Sequence, residues 1–399
     1  MKRLKNGIIK RYYNFRGKEM NSKERVKKIL AHEEADRIPL FDSMWEDTLT
    51  RWIKEGLADE DIFKKPDKGG LVNIFELQEN TLALNDYFNF DFDRIYMDAS
   101  MRFKARVISE TEDKITIKDR YGYTVEKVKG KSRTMRFIEF VNKGPETWKK
   151  IKDRMNVNFD NLSRIDTESF FLRVGKIPTW EEAKVKFDKL RKRNKFILLS
   201  VYGPFEATWR QYGFTNQLTD ILLKKDFMQG MYEKYCYLEI DILKKGKEYG
   251  IKPDGMFFAE DMGYTNSLLL SPATYKEVLF PFHKMLGDYL RNNSINYFMH
   301  SDGKIYDLIP YLIKAGVEVI QPLEAKTGMD VRKFKKEFGK DLTFMGNINV
   351  MKLSGSKKDI EEEVISKITV AKKGGGYIYH SDHSIPPEVS LENYKYLIS

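Results

Sequence analysis

The stretch INYFMHSDGKIYDLIPYLIKAGVEVIQPLE, residues 295–324, holds a strand, a helix and a second strand in succession. INYFMHSD (295–302) is an apolar run that stops at His300 and Asp302. DLIPYLIKAG follows, with Asp307 as a helix cap, Pro310 in the first turn and Gly316 as the stop. VEVIQPLE (317–324) is the next apolar run. Continuous apolar strands, without polar alternation, belong to a sheet covered on both faces by helices. Working outward, the same unit recurs. FILLSVYG (196–203), GMFFAED (255–261), LTFMGNIN (342–349) and GYIYHSDH (376–383) are further strands, and RIPLFDSMW (37–45) and DRIYMD (93–98) precede them. Between them lie helices with their own start signals. Ser22 opens SKERVKKILAHEE, Thr179 and Glu182 form a capping box in TWEEAKVKF, and Ser271 with Pro272 opens SPATYKEVLFPFHKMLGDYLRN. Helical periodicity also runs through WEDTLTRWIKEGL and NIFELQENTLALNDYF. Eight strands alternating with helices predict an α/β fold of the (β/α)8 TIM-barrel type.

One region departs from this pattern. ARVISETEDKITIKDRYGYTVEKV alternates apolar and polar residues, with turn signals at ETED and DRYG. Residues 102–142 therefore read as a small antiparallel β excursion inserted in a single barrel domain spanning 21–399. Residues 1–20 hold seven Lys/Arg and one Glu, so this short stretch carries +6 of the net +11. That concentration predicts a disordered basic extension, with Met20 beginning the folded protein, and argues against a nucleic-acid-binding surface on the body. KVKFDKLRKRNK (184–195) is a helix with a solvated basic face.

The chain of 399 residues is 41% hydrophobic and 13% aromatic, enough for a large core, and no apolar run is long enough to span a membrane. The single cysteine, Cys236, excludes an internal disulfide and a thiolate-rich zinc cluster, in keeping with a reducing cytoplasm. There is no dinucleotide, Walker or G-x-S-x-G sequence. KKGGGY (372–377) precedes a strand and is no phosphate cradle; Cys236, His32 and His283 read as packing residues on helices.

In a TIM barrel the site lies where the strands end. Here those ends carry Asp42 and Glu46, Asp98, Tyr202 and Glu206, Glu260 and Asp261, His300 and Asp302, Gln321 and Glu324, Asn347 and Asn349, and His380, Asp382 and His383. This convergence points to an enzyme. His300 and Asp302 are two apart on one strand, so they face the same way. One more ligand from another strand end, His380, Asp382 or His383, would complete a facial metal site with an open position.

The chain resembles the uroporphyrinogen decarboxylase family over most of its length. The resemblance is carried by GPFEATWRQYGF (203–214), AEDMGYTNSLLLSPATYKEVLFPFHKML (259–286), LTFMGNIN and SDHSIPPEVSLENY. It implies a TIM barrel. True decarboxylases of the family begin with an Arg-Gln-Ala-Gly-Arg-type segment that grips substrate carboxylates; here the region reads LFDSMWEDTLTRW. The corrinoid-dependent methyltransferases of the family bind zinc through His-x-Cys and a later Cys. Those positions fall on His300, Asp302 and His383, so the resemblance implies these three as metal ligands, with Asp and His replacing both cysteines. His-Asp-His brings one negative charge where His-Cys-Cys brings two, leaving a harder and more positive ion that suits an oxygen-bearing methyl donor. The expectation is a zinc-dependent methyltransferase. It moves a methyl group from a small methylated substrate (a methyl ether, a methanol-like donor or a methylamine) to cobalamin on a separate corrinoid protein. Glu260 or Asp261 would protonate the leaving group. Trp45, Tyr202, Trp209 and Tyr264 would wall the pocket, together with Asp42, Glu46, Asp98, Glu206, Gln321 and Asn347. Two alternatives stand beside it: a metal-independent decarboxylase using Asp42 or Asp98 with His383, and a non-enzymatic corrinoid-binding barrel.

Overall fold

The computed structural model describes residues 8–11, 19–57, 72–73, 81–129, 135–166, 173–174 and 176–398. Its strands are β1 (Val72–Asn73), β2 (Phe92–Met97), β3 (Arg106–Glu110), β4 (Lys114–Lys118), β5 (Thr124–Val128), β6 (Met135–Glu139), β7 (Ile165–Asp166), β8 (Arg173–Val174), β9 (Phe196–Tyr202), β10 (Gly255–Ala259), β11 (Asn296–His300), β12 (Val319–Gln321), β13 (Thr343–Met345) and β14 (Tyr377–Ile378). One sheet runs β14-β13-β12-β11-β10-β9-β2-β7. It is parallel throughout except at β7, which pairs antiparallel with β2. Helices separate the parallel strands, among them Pro204–Tyr212 and Lys225–Glu248 before β10, and Ile309–Ala315 before β12. This is a mixed α/β fold around a parallel sheet, as the apolar runs predict.

The expected first strand, 37–45, pairs at both of its neighbours. Leu40 forms a parallel bridge with Tyr379, just beyond β14. Phe41 N–H donates to Tyr379 O at 3.1 Å and Tyr379 N–H to Pro39 O at 2.9 Å. On the other side Asp91 N–H, at the foot of β2, donates to Leu40 O at 2.8 Å. The hydrogen-bonded path therefore runs from β14 through Leu40 to β2.

Alternate residues of these strands face one another across a ring-filled interior. Phe92, Phe196 and Phe298 lie 5.5–6.3 Å apart, and Phe41 sits 5.4 Å from Phe92. Gly255 makes the room: a Cβ there would come within 2.9 Å of Phe298 and 3.0 Å of Phe196. The 102–142 excursion is an antiparallel meander in the order β3-β4-β5-β6. Its inner face packs on the strand ends, with Tyr121 edge-on to Tyr202 at 5.8 Å.

Some local expectations are corrected. Asn21, not Ser22, caps the helix Ser22–Leu30, in a reciprocal box with Glu24. Asp307 lies inside a short turn, Tyr306–Leu308, that precedes the helix Ile309–Ala315; Gly316 does stop that helix in the left-handed conformation. In the basic N-terminal stretch, Ile8–Arg11 is helical, with Ile8 and Ile9 buried against the core, so the expectation of a disordered extension does not hold at those residues. Of NIFELQENTLALNDYF, 74–80 lie outside the described residues and Thr81–Tyr87 is helical. Among the described residues no helix is long and apolar enough to cross a membrane.

Candidate functional site

Asp302 follows β11 by two residues and sits at the centre of a cluster drawn from four strand ends. One carboxylate oxygen, Oδ1, lies 3.8 Å from His300 Nε2, and the other, Oδ2, lies 3.8 Å from His383 Nε2. Asp261 adds a second carboxylate, its Oδ1 3.2 Å from His300 Nε2. Possible ligand atoms of Asp261, His300 and Asp302 all lie within 4.8 Å of one another, as do those of Asp302, Glu324 and His383. Asp302 Oδ1 is buried without a hydrogen-bond partner, a costly state for a carboxylate oxygen unless a cation completes it.

Two loops fix this spacing. Asp302 N–H donates to Asp261 Oδ1 at 3.0 Å, and Lys304 N–H to Tyr264 O at 2.9 Å. Gly263 and Gly303 let the backbones touch: at Gly303, with φ of +84°, a Cβ would lie 2.4 Å from Gly263 C. Only glycine takes that conformation at that distance without strain.

The charges respond to one another. Burial alone would strip His300 of its proton, but Asp302 and Asp261 outweigh it and hold the ring protonated up to about 10. Burial pushes the Asp302 carboxyl up to about 6 against the pull of His300. Burial also works against charge on Asp261, yet the His300 imidazolium holds that carboxyl below its usual range. Without a metal, the His300 proton supplies the positive charge among these acids; a divalent cation carries more of it at the same place.

Behind His300, Gln321 Oε1 accepts from His300 Nδ1. Its amide nitrogen lies 3.4 Å from the His380 ring nitrogens, and His380 Nδ1 donates to Ser381 O at 2.6 Å. This relay fixes the His300 tautomer and leaves Nε2 to face the carboxylates, as second partners of metal-binding histidines do. Of the three candidates for the late ligand, His383 faces Asp302. His380 is turned to Gln321, and Asp382 accepts from Ala325 N–H and Val350 N–H. Trp45 packs on His383, with ring centroids 5.7 Å apart.

The remaining expected residues separate into two groups. Tyr202, Glu206 and Trp209 sit together beside the cluster around an arginine that the sequence reading passed over. Arg210 lies 3.6 Å over the Tyr202 ring and donates to Glu206 Oε1 at 2.6 Å, while Trp209 Nε1 donates to Glu206 Oε2 at 2.8 Å. Tyr264 is 64% exposed on the loop after β10, free to meet a large partner.

Five expected site residues, the catalytic candidate Glu260 and four from the pocket, are turned to other work. Glu260 is fully buried and accepts from Phe205 N–H, Glu206 N–H and His283 Nε2; it caps a helix and cannot reach a substrate. Asp42 is buried under Ser381, Tyr379 and Tyr394, whose hydroxyls all donate to it. Asp98 is held by Arg102 at 2.6 Å, with Arg120 at 3.7 Å. Asn347 gives its whole amide to the backbone of Leu323, Met329 and Val331. Glu46 pairs with Lys127 of β5 at 2.7 Å.

The reading also missed the role of His283, which bridges Glu260 and Tyr275 in the helix layer. It missed Arg94 on β2, whose position two before Tyr96 on the same strand face was the available signal. Glu324 was noted only as a polar strand end; it accepts Gly303 N–H at 2.8 Å and pairs with Lys326 at 2.9 Å.

Comparison with known proteins adds a family. The model of Uroporphyrinogen decarboxylase (URO-D) matches residues 202–399. A methyltransferase from Methanosarcina mazei is similar in structure, with a TM-score of 0.62 at 16% identity, over 95% of this chain and 98% of that one. At that identity the likeness speaks to the fold alone. The Ignisphaera aggregans GH53 catalytic domain gives a TM-score of 0.29 at 12% identity, over 51% of this chain and 67% of that one. No curated protein matches the sequence significantly.

Proposed function

On the premise that this chain belongs, through residues 202–399, to the uroporphyrinogen decarboxylase family, we propose that it is a zinc-dependent methyltransferase. It passes a methyl group from a small methylated substrate to cobalamin on a partner protein. The observation that carries this reading is Asp302, with one carboxylate oxygen turned to His300 and the other to His383. We read Pro39–Phe41, β2 and β9–β14 as the eight strands of a closed (β/α)8 barrel, supported by the hydrogen bonds of Leu40 and Phe41 to both neighbours. The cluster then stands at the end of the barrel where such folds keep their chemistry.

His300, Asp302 and His383 would hold the ion, and Gln321 would orient His300. An ion held there would supply Lewis acidity toward an oxygen-bearing methyl donor. Of the two carboxyls expected to deliver a proton, Glu260 is occupied and Asp261 remains. Asp261 is 41% exposed on its side chain, so water can recharge it, and it touches His300 directly. Trp45 and Tyr202 give the mouth apolar walls, and the exposed Tyr264 offers a contact for the corrinoid protein. In this reading the acceptor corrinoid rides on a separate protein.

The test is elemental analysis of protein purified without chelators, wild type beside His300→Ala and His383→Ala. Near-stoichiometric zinc in the wild type, lost in both variants, is the expected result. It directs the assay to methyl transfer, followed by the spectrum of an added corrinoid protein. A wild type that stays metal-free after zinc is supplied ends this reading.

A further inference from the structure

Arg94 is the one lysine or arginine on the parallel strands β2 and β9–β14. It shares a strand face with Phe92, whose ring meets Phe196 and Phe298, so its side chain enters the interior. Its Nε donates to Ser200 Oγ at 2.6 Å. The guanidinium carbon lies 4.7 Å from the Phe257 ring centroid and 5.5 Å from that of Tyr96. Among the described residues no carboxylate pairs with it, and its two terminal nitrogens have no hydrogen-bond partner.

One aromatic ring links this cation to the acid cluster. The ring of Phe257, on which it stacks, is itself 6.0 Å from the ring of His300. Its charge also opposes a proton on His380, which burial first of all drives down to about 3. The guanidinium is half-buried with one hydrogen bond, and its two terminal nitrogens are not sealed from solvent. The ring faces attract its charge but supply no acceptor for those nitrogens. Those nitrogens form a fork whose match is a carboxylate, bound through two parallel hydrogen bonds.

Resting on the methyl-transfer reading above, we propose that Arg94 anchors the carboxylate of the methyl donor, so that the substrate is a small methylated carboxylic acid. With the carboxylate on Arg94, the methyl-bearing end reaches toward His300 and Asp302, one layer higher in the interior. A methylamine, cationic at neutral pH, is repelled from the same place, and methanol leaves the guanidinium without an acceptor.

The experiment is isothermal titration calorimetry with matched probes: methoxyacetate against 2-methoxyethanol, and 4-methoxybenzoate against 4-methoxybenzyl alcohol. It uses wild type, Arg94→Gln and Arg94→Lys, with metal content measured on the same samples. At least one acid should bind the wild type about tenfold or more tightly than its alcohol. Arg94→Gln should erase that preference with its metal content unchanged, and Arg94→Lys should keep part of it. If Arg94→Gln does not fold, Ser200→Ala serves: removing the bond that orients the guanidinium should weaken acid binding and leave alcohol binding alone. Equal binding of acid and alcohol, no acid binding to wild type, or a preference that survives Arg94→Gln overturns the proposal. Tighter binding of inorganic phosphate than of either acid also overturns it, since the fork then serves a different anion. An acid preference in a protein that holds no zinc separates the two ideas: Arg94 stands and the metal reading falls.

Discussion

Glu260 and Asp261 are neighbours in sequence, and each is paired with a histidine, yet they belong to different parts of the molecule. Glu260 meets His283 at 2.8 Å with neither side chain exposed; Asp261 meets His300 at 3.2 Å at 41% and 22% exposure. At the end of a strand successive side chains take opposite faces. Glu260 turns to the helix layer, where the N-terminal amides of Pro204–Tyr212 and the His283–Tyr275 pair absorb its charge. Gly203 clears its path, since a Cβ there would lie 2.5 Å from the Glu260 carboxyl. Asp261 turns to the mouth, where its neighbours are other acids and a charged histidine. The same two residue types build a structural pin on one face and a group able to hold a cation on the other, and direction alone separates them.

Breaking the pin should have the larger effect. Glu260→Ala leaves His283 and two helix amides buried without their acceptor, and such a loss costs about 3–5 kcal/mol. Urea unfolding should register it, while the metal content of the folded fraction should match that of the wild type. Retained stability together with lost zinc would reverse the roles assigned to the two carboxyls. On the other face, Gln321→Leu removes the partner that sets the His300 tautomer. Zinc affinity should fall by about 10–100-fold, read by competition with a chromophoric chelator, with little change in melting temperature. An unchanged affinity would remove Gln321 from the site.

The third effect, spread over several pH units, concerns a carboxyl that joins neither group. Burial pushes Asp42 up to about 7 although Ser381 and Tyr379 donate to it. Its folded pKa therefore lies above the unfolded value of about 3.9. Its contribution to stability is complete below the unfolded pKa and fades as pH rises through about 7. Asp42→Asn should lose that dependence. The stability difference between wild type and variant should shrink between pH 5 and 8, by at most about 1.4 kcal/mol per pH unit. Parallel urea curves at all pH values would show that Asp42 keeps one protonation state.

The strands were legible because a doubly covered strand must be apolar along its whole length, and FILLSVY or NYFMH has little other use. The meander was legible for the opposite reason, since KITIK and TVEKV alternate around one covered face. His300 and Asp302 follow from a two-residue spacing that any strand imposes. What sequence could not show is which way the chain turns after the strand stops. Asp98 and Asn347 occupy the same kind of position as Asp302, yet arginines surround the first and backbone groups claim the second. Those partners, Arg102 and Arg120 for Asp98 and Leu323 and Met329 for Asn347, come from loops whose course no periodicity records. Arg94 escaped notice because a single charge inside an apolar strand reads as a flaw in the pattern until its neighbours are known.

The early and late segments of the chain are fastened to each other. Trp52 Nε1 donates to Val389 O, Thr48 Oγ1 to Ile385 O, and Asp42 takes hydroxyls from Tyr379, Ser381 and Tyr394. A ribosome delivers these partners in the worst order, with the first segment finished long before the last is made. Until residues 379–394 emerge, Asp42 lacks its hydroxyl donors and Trp52 Nε1 lacks its acceptor. Closing this seam therefore waits for the late segment, and a chain cut short before the helix Leu391–Ile398 leaves Asp42 without one of its three hydroxyl donors.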